Sequence, residues 1–270
     1  MTTNDPILDF AKSFDIQYFD QLVAKFFESG DSKVQNTLVQ FQNHAQAWTR
    51  VDAILDKSTN VNAKILACNV LEQTVKTKWK VLPKEQKEGI KTYIVNIIIK
   101  MSSNPQAAQQ ALLRKLNVVL VQVVKHEWPA NWPNFIPELV NSSKTSQSLC
   151  ANNMSILLLL SEEVFDFSKG QMTKDKMNEM KTNLNREFTL IFQLCDYILD
   201  NSQDKVLLST TLRTLLRFLH WIPVGYIFET KLIQTLSMKV LDYCSVFQFF
   251  PVALFQNDTL QCLSEIGVLP

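Results

Sequence analysis

The sequence predicts an all-α fold, an α–α superhelix of the HEAT/armadillo type with about six helix pairs, and three observations carry that expectation. Glycine is scarce, with 5 among 270 residues, where average usage gives roughly 19. Phosphate loops, tight hairpins and barrels need glycine at positive φ, so those folds are undersupplied. Apolar residues recur at three- and four-residue spacing along nearly the whole chain. The helix pairs start near residues 15, 46, 84, 132, 172 and 223, a mean step of about 42 residues, which is the period of HEAT-type repeats.

The first pair is expected over Asp15–Ser29 and Asp31–His44, broken by Ser29-Gly30-Asp31 with Asp31 as N-cap. The second covers Gln46–Lys57 and Val61–Leu82. The third runs from Lys84, just after Pro83, to Met101 and from Pro105 to Glu127, with proline where a first helical turn loses no hydrogen bond. Asn134–Ser142 and Ser146–Phe165 make the fourth, Lys174–Asp200 and Lys205–Trp221 the fifth, and Phe228–Tyr243 with Ala253–Ile266 the sixth. Helix ends share a tryptophan followed by a proline: Trp79 with Pro83, Trp128 with Pro129, Trp132 with Pro133, Trp221 with Pro223. Each indole is expected to pack against a neighbouring pair while the proline stops the helix.

The chain has 27 basic and 26 acidic residues, a net charge of +1 and 46% hydrophobic residues. That balance supplies a core and offers no general electrostatic grip on nucleic acid or anionic lipid. Residues 1–135 are mildly basic, with 16 basic against 12 acidic side chains. Cys68, Cys150, Cys195, Cys244 and Cys262 are unpaired by spacing and lie in apolar helical patterns, so they are expected to be free thiols in a reducing compartment. The start Met-Thr-Thr-Asn-Asp-Pro has no signal-peptide pattern, and no apolar run is long enough to span a bilayer, so a soluble intracellular protein is expected. The glycosylation sequons at Asn141, Asn153 and Asn257 then read as chance matches.

Catalytic motifs are missing: the sequence contains no phosphate-binding loop, dinucleotide fingerprint, nucleophile elbow or Cys-x-x-Cys pair. His126-Glu127 begins like a zinc-protease helix, but Pro129 ends that helix and Ala130 stands where the second histidine belongs. His44, His126 and His220 fall near helix C-termini, where they complement the dipole. Glu162 and Glu163 point about 100° apart on a helix and cannot converge on one atom. No enzyme, metal or cofactor is therefore expected. Lys76, Lys78, Lys80, Lys84, Lys87 and Lys91 form the densest charge cluster, offset by Glu85 and Glu88, and read as a solvated helix junction or a docking patch for an acidic protein surface.

In a helical solenoid the second helix of each pair usually lines the concave side, so its polar residues are candidates for partner contact. On the helix from Val61, Ile65, Cys68, Leu71 and Val75 make an apolar stripe and leave Asn69, Gln73 and Lys76 aside. On the helix from Pro105, Leu112, Leu116, Val119, Leu120 and Val123 make the stripe and leave Lys115, Gln122 and Lys125. All six are expected at the surface.

The stretch Glu127-Trp-Pro-Ala-Asn-Trp-Pro-Asn-Phe-Ile136 resembles a signature of the exportins in the importin-β (karyopherin) superfamily. Ala47 to Leu55, Asn152 to Phe167 and Leu215 to Ile233 are similar to the same family, and the likeness extends from about Ile7 to Ile266. The resemblance implies a HEAT-repeat nuclear transport receptor that shuttles between nucleus and cytoplasm through the nuclear pore. Such receptors bind leucine-rich export-signal cargo cooperatively with GTP-bound Ran and contact nucleoporins; GTP belongs to Ran, not to the receptor.

It also implies a domain order. Residues 1–33 would be the N-terminal helix of the first repeat and 34–102 the importin-β N-terminal-like, Ran-binding repeats. Residues 112–258 would be exportin-type HEAT repeats and 259–270 an incomplete last one. Second helices of the early repeats face Ran in the family, which makes Asn69, Gln73, Lys76, Lys115, Gln122 and Lys125 candidate Ran contacts. Family members are several times longer, and their cargo groove and inhibitor-reactive cysteine lie in central repeats, so neither is placed on this chain. A solenoid without a polar capping repeat exposes an apolar end, and association through Phe247 to Phe255 is expected. The other class considered is a HEAT scaffold subunit whose binding does not depend on a nucleotide switch.

Overall fold

The computed structural model describes residues 5–103, 109–165, 173–219, 225–240 and 253–268. The architecture is all-α and built from helix pairs, with no strand among the described residues. Contacts divide the chain into two compact units, Met1–His126 and Glu127–Pro270.

In the first unit, a single 3-10 turn at Pro6–Leu8 precedes α1 (Ile16–Ser29) and α2 (Ser32–Asn43). Asp15 and Asp31 cap the two helices, accepting the Tyr18 N–H at 3.0 Å and the Lys33 N–H at 2.9 Å. Gly30 closes α1 at φ 62°, in the left-handed region where a Cβ would be strained. Phe19 and Phe41 are completely buried, their rings 5.1 Å apart, and Phe14 adds a third ring 5.3 Å from Phe19.

Next comes α3 (Val51–Lys57), shorter than the expected helix from Gln46 because Ala47–Arg50 is a 3-10 turn. There Thr49 Oγ1 donates to the Gln46 carbonyl at 2.7 Å, a local bond that competes with α-helix. The helix α4 (Val61–Lys78) is capped by Asn60 and runs into a 3-10 turn at Trp79–Val81. Pro83 disfavours helical dihedrals at Leu82, so the expected extension to Leu82 tightens and stops. Then follow α5 (Lys84–Ser103) and α6 (Gln110–Glu127).

Polar bridges tie successive pairs. On the first helices, the Tyr93 hydroxyl of α5 donates to Asp56 of α3 at 2.8 Å. On the second helices, Lys115 of α6 donates to Glu72 of α4, and the His126 ring lies 6.3 Å from Trp79. Two contacts that both advance along the chain mean that α4 and α6 run in the same direction, as second helices of successive repeats do.

The second unit holds α7 (Phe135–Ser142), α8 (Gln147–Phe165), α9 (Lys174–Asn201) and α10 (Lys205–Leu219). The short α11 (Gly225–Phe228) and α12 (Leu232–Gln234) come next, the latter continuing as a π-helical turn at Thr235–Val240, and the last helix is α13 (Ala253–Val268). The single helix expected from Phe228 is therefore broken. In one layer α9 touches α7 and the π turn; in the other α10 touches α8 and α13. Thr211, Leu212 and Thr214 of α10 are completely buried. Asp258 of α13 accepts from Ser209 Oγ at 3.0 Å and Arg213 Nε at 3.2 Å, fastening α13 to α10.

Trp79 and Trp128 are 2% and 1% exposed, as their place before a proline suggests. Trp132 differs: half-buried, it sits edge-on to Phe135 and donates its indole N–H to Glu138 at 3.0 Å. Asn153 is buried, its amide nitrogen donating to the Leu139 carbonyl, Ser142 Oγ and Ser143 Oγ at 2.9–3.1 Å, so no glycan can attach to it in the folded chain. His220, Trp221, Pro223 and Cys244 lie outside the described residues, as do residues 247–252 of the stretch expected to associate.

Cys68, Cys150, Cys195 and Cys262 are free and buried. Burial pushes the thiols of Cys68, Cys195 and Cys262 up to about 12 and raises that of Cys150. At pH 8 almost no thiolate is available on the three, so Ellman's reagent is expected to label at most one thiol quickly in native buffer and all five in guanidinium. Rapid native labelling of two or more would contradict this burial.

Candidate functional site

The exposed side of α4 is set by what its other side must cover. Ala63, Leu66, Ala67, Cys68, Val70, Leu71, Thr74 and Val75 are buried, a wider face than the expected stripe, while Ile65 is only half-buried. Asn69, Gln73 and Lys76 remain exposed at spacings of four and three, one row on the helix surface.

Between that row and α6 stands Glu72, whose side chain is 14% exposed. It accepts from Lys76 Nζ at 2.6 Å and, on its other oxygen, from Lys115 Nζ. Burial alone would raise the Glu72 carboxyl, but hydrogen bonds from Lys115 and Lys76 outweigh it and hold the group below its ordinary value. The result is a Lys–Glu–Lys cluster with one surplus positive charge and both ammonium groups oriented.

Sequence reasoning named the two lysines and missed the carboxylate between them. The available signal was the i,i+4 pair Glu72–Lys76, where the glutamate N-terminal to the lysine is the favoured order. Glu72→Gln is expected to lower unfolding free energy by about 1–2 kcal/mol at pH 7. A depressed folded-state value gives stability that is fully present above the unfolded-state value near pH 4.3 and is lost as pH falls through the folded one, so the gap between wild type and variant should begin to narrow below about pH 4.3 and shrink steadily with further acid. A gap that stays constant from pH 7 down through the acid range would show that the charge is not the source.

Two of the six candidates are corrected by burial. Gln122 is 4% and Lys125 7% exposed, so neither is a surface residue. The cause is that Val121 and Val124 are buried together with Leu116, Val119, Leu120 and Val123, so this part of α6 is covered all round rather than on one stripe. Lys125 Nζ donates to Gln122 Oε1 at 3.2 Å within that covered region. Lys115 lies earlier on the helix and keeps its ammonium at a partly exposed position.

The lysine cluster also resolves into parts. Lys76 is held by Glu72, Lys91 pairs with Glu88 at 2.5 Å, and Lys78 donates to the Ala45 carbonyl at 3.2 Å. Lys80, Lys84 and Lys87 form no ion pair with a described carboxylate. Among the described residues no group of His, Cys, Asp or Glu could hold a metal ion, and no helix is long and apolar enough to cross a membrane.

Comparison with known proteins places these helices in context. Residues 109–263 match the family model described as exportin 1-like protein, and residues 34–100 match the importin-beta N-terminal domain. The chain is 47% identical to exportin-1 of Drosophila melanogaster, with all of this chain and 25% of that protein aligned. It is 46% identical to exportin-1 of Schizosaccharomyces pombe over 97% of this chain and 24% of the relative. It is 43% identical to protein exportin 1A of Arabidopsis thaliana over 98% and 24%. The chain thus spans about a quarter of the length of these relatives.

Proposed function

The chain belongs to the exportin 1-like family, and from that premise we propose that it is the Ran-GTP-binding N-terminal segment of a nuclear export receptor. The observation that carries the reading is the importin-beta N-terminal domain over residues 34–100, the segment that contains the exposed Asn69, Gln73 and Lys76 row. Lys115, from the next second helix, stands beside that row through Glu72.

On this reading Ran in its GTP form docks on the row, and Lys76 and Lys115 meet acidic or carbonyl groups of its switch region. Glu72 holds both ammonium groups in place beforehand, which reduces the side-chain entropy lost on docking. Export-signal cargo binds through other repeats of the receptor. Ran-GTP and cargo favour one conformation, so each raises the other's affinity by the same factor. The receptor shuttles through the nuclear pore, meets nucleoporins on the way, and acts by binding rather than catalysis, with GTP held by Ran. Residues 34–102 would form the Ran-binding repeats and 112–258 the following HEAT repeats. A scaffold subunit without a nucleotide switch is not favoured by the family relationship.

The test is calorimetric titration of the chain with Ran carrying a non-hydrolysable GTP analogue or GDP at physiological salt. Binding to the GTP form alone is expected. Equal affinity for both forms would replace the switch with a scaffold role, and heat from neither would remove Ran binding from this segment.

A further inference from the structure

We propose that the junction between α4 and α5 is a second docking surface, one that takes an acidic protein segment carrying an aliphatic anchor residue. Residues 76–91 hold six lysines and two glutamates, a net charge of +4 in a chain whose total is +1. Internal partners hold Lys76, Lys78 and Lys91, while Lys80 and Lys84 are exposed, Lys87 is half-buried, and none of these three pairs with a described carboxylate.

Placement makes this costly to the helix itself. Lys84 and Lys87 occupy the first turns of the 20-residue α5, the end where the macrodipole favours acidic side chains and disfavours cations. They also stand three residues apart, where like charges repel. Glu85 supplies the acidic residue that the first turn favours, but Lys84 and Lys87 add two cations to the same turns and pair with no described carboxylate, a local cost of the kind found at interaction sites.

In the turn between Lys80 and Lys84, Val81 is 81% exposed and Pro83 is exposed beside it. Three lysines within six residues of a bare aliphatic residue match carboxylates flanking a Leu, Ile or Val. Lysine ammonium groups are flexible point charges that suit a run of carboxylates without a fixed planar geometry. Nucleic acid fits less well, because stacking needs exposed rings. Trp79 is 2% exposed, and the Tyr93 hydroxyl is tied to Asp56.

The probe is a fluorescein-labelled twelve-residue peptide of glutamate and aspartate around a central leucine, titrated with the full 270-residue chain and read by anisotropy. Expected is saturable binding that weakens about tenfold between 50 and 200 mM salt, falls at least tenfold in Lys80→Glu/Lys84→Glu/Lys87→Glu, and falls several-fold in Val81→Ser. A control reversal at exposed Lys33, Lys144 and Lys174 should change affinity less than twofold. Glutamate at the start of α5 complements the dipole, so the test variant should melt no lower than wild type; Lys→Gln at the same three positions checks the result without reversing charge. Undiminished peptide binding in both triple variants overturns the proposal, as does tighter binding of a charge-matched single-stranded RNA. The test involves no Ran, so its outcome is independent of the Ran-binding reading.

Discussion

Arg50→Ala is expected to lower the unfolding free energy by about 3 kcal/mol and to release the N-terminal segment before Asp15. Arg50 is 6% exposed, and its Nη2 donates to the carbonyls of Asp9 at 2.9 Å and Lys12 at 3.2 Å. Its guanidinium carbon lies 4.5 Å from the Phe10 ring centroid and 4.7 Å from that of Phe14. Arg50 thus fastens this segment together with Ile7, which is 1% exposed, and Phe10, whose ring stacks 4.0 Å from that of His44. Burial lowers the guanidinium's proton affinity, partly offset by Asp9, yet it remains charged at any working pH.

Lysine cannot reproduce the planar fork, so Arg50→Lys should recover less than half of the loss. The measurements are chemical denaturation and limited proteolysis, with new cleavage expected between Phe10 and Phe14. A loss below about 0.5 kcal/mol, the scatter of ordinary surface substitutions, would show that the segment holds itself in place.

Gln73→Glu with Lys76→Glu is expected to weaken Ran-GTP binding more than tenfold while costing less than about 1 kcal/mol of stability. The two substitutions turn a row with a net positive charge into one with several adjacent carboxylates. The stability cost stays small because Lys115 still holds Glu72 and both altered positions are exposed. Glu72→Gln separates the roles further: it frees Lys76 and Lys115 without reversing charge, so its effect on affinity should be smaller than that of the double variant. Unchanged affinity in the double variant, with an intact thermal transition, would take Gln73 and Lys76 off the contact surface.

Legibility differed between fold and site for physical reasons. Helix boundaries were readable where a local device sets them: Asp15 and Asp31 as N-caps, Gly30 in the left-handed region, Pro83 before α5. They were not readable where side-chain bonds or π-helical backbone override periodicity, as at Ala47–Arg50 and Thr235–Val240. The α4 row was legible because its other side is apolar enough to declare itself. The α6 row was half legible. A stripe assigned from one side says nothing about what covers the other, and Val121 and Val124 were the cue that Gln122 and Lys125 are buried with them. Glu72 escaped notice because its meaning depends on Lys115, 43 residues later, a pairing that exists only once α4 and α6 lie side by side.

The central claim is that the exposed α4 face receives Ran in its GTP form. Hydrogen–deuterium exchange of the 270-residue chain, alone and with Ran loaded with the GTP analogue or with GDP, tests it most directly. The account predicts slowed exchange over the last turns of α4 and the start of α6 around Lys115, with Ran-GTP only. Protection confined to Glu127–Pro270, or the same protection with both nucleotides, would contradict it.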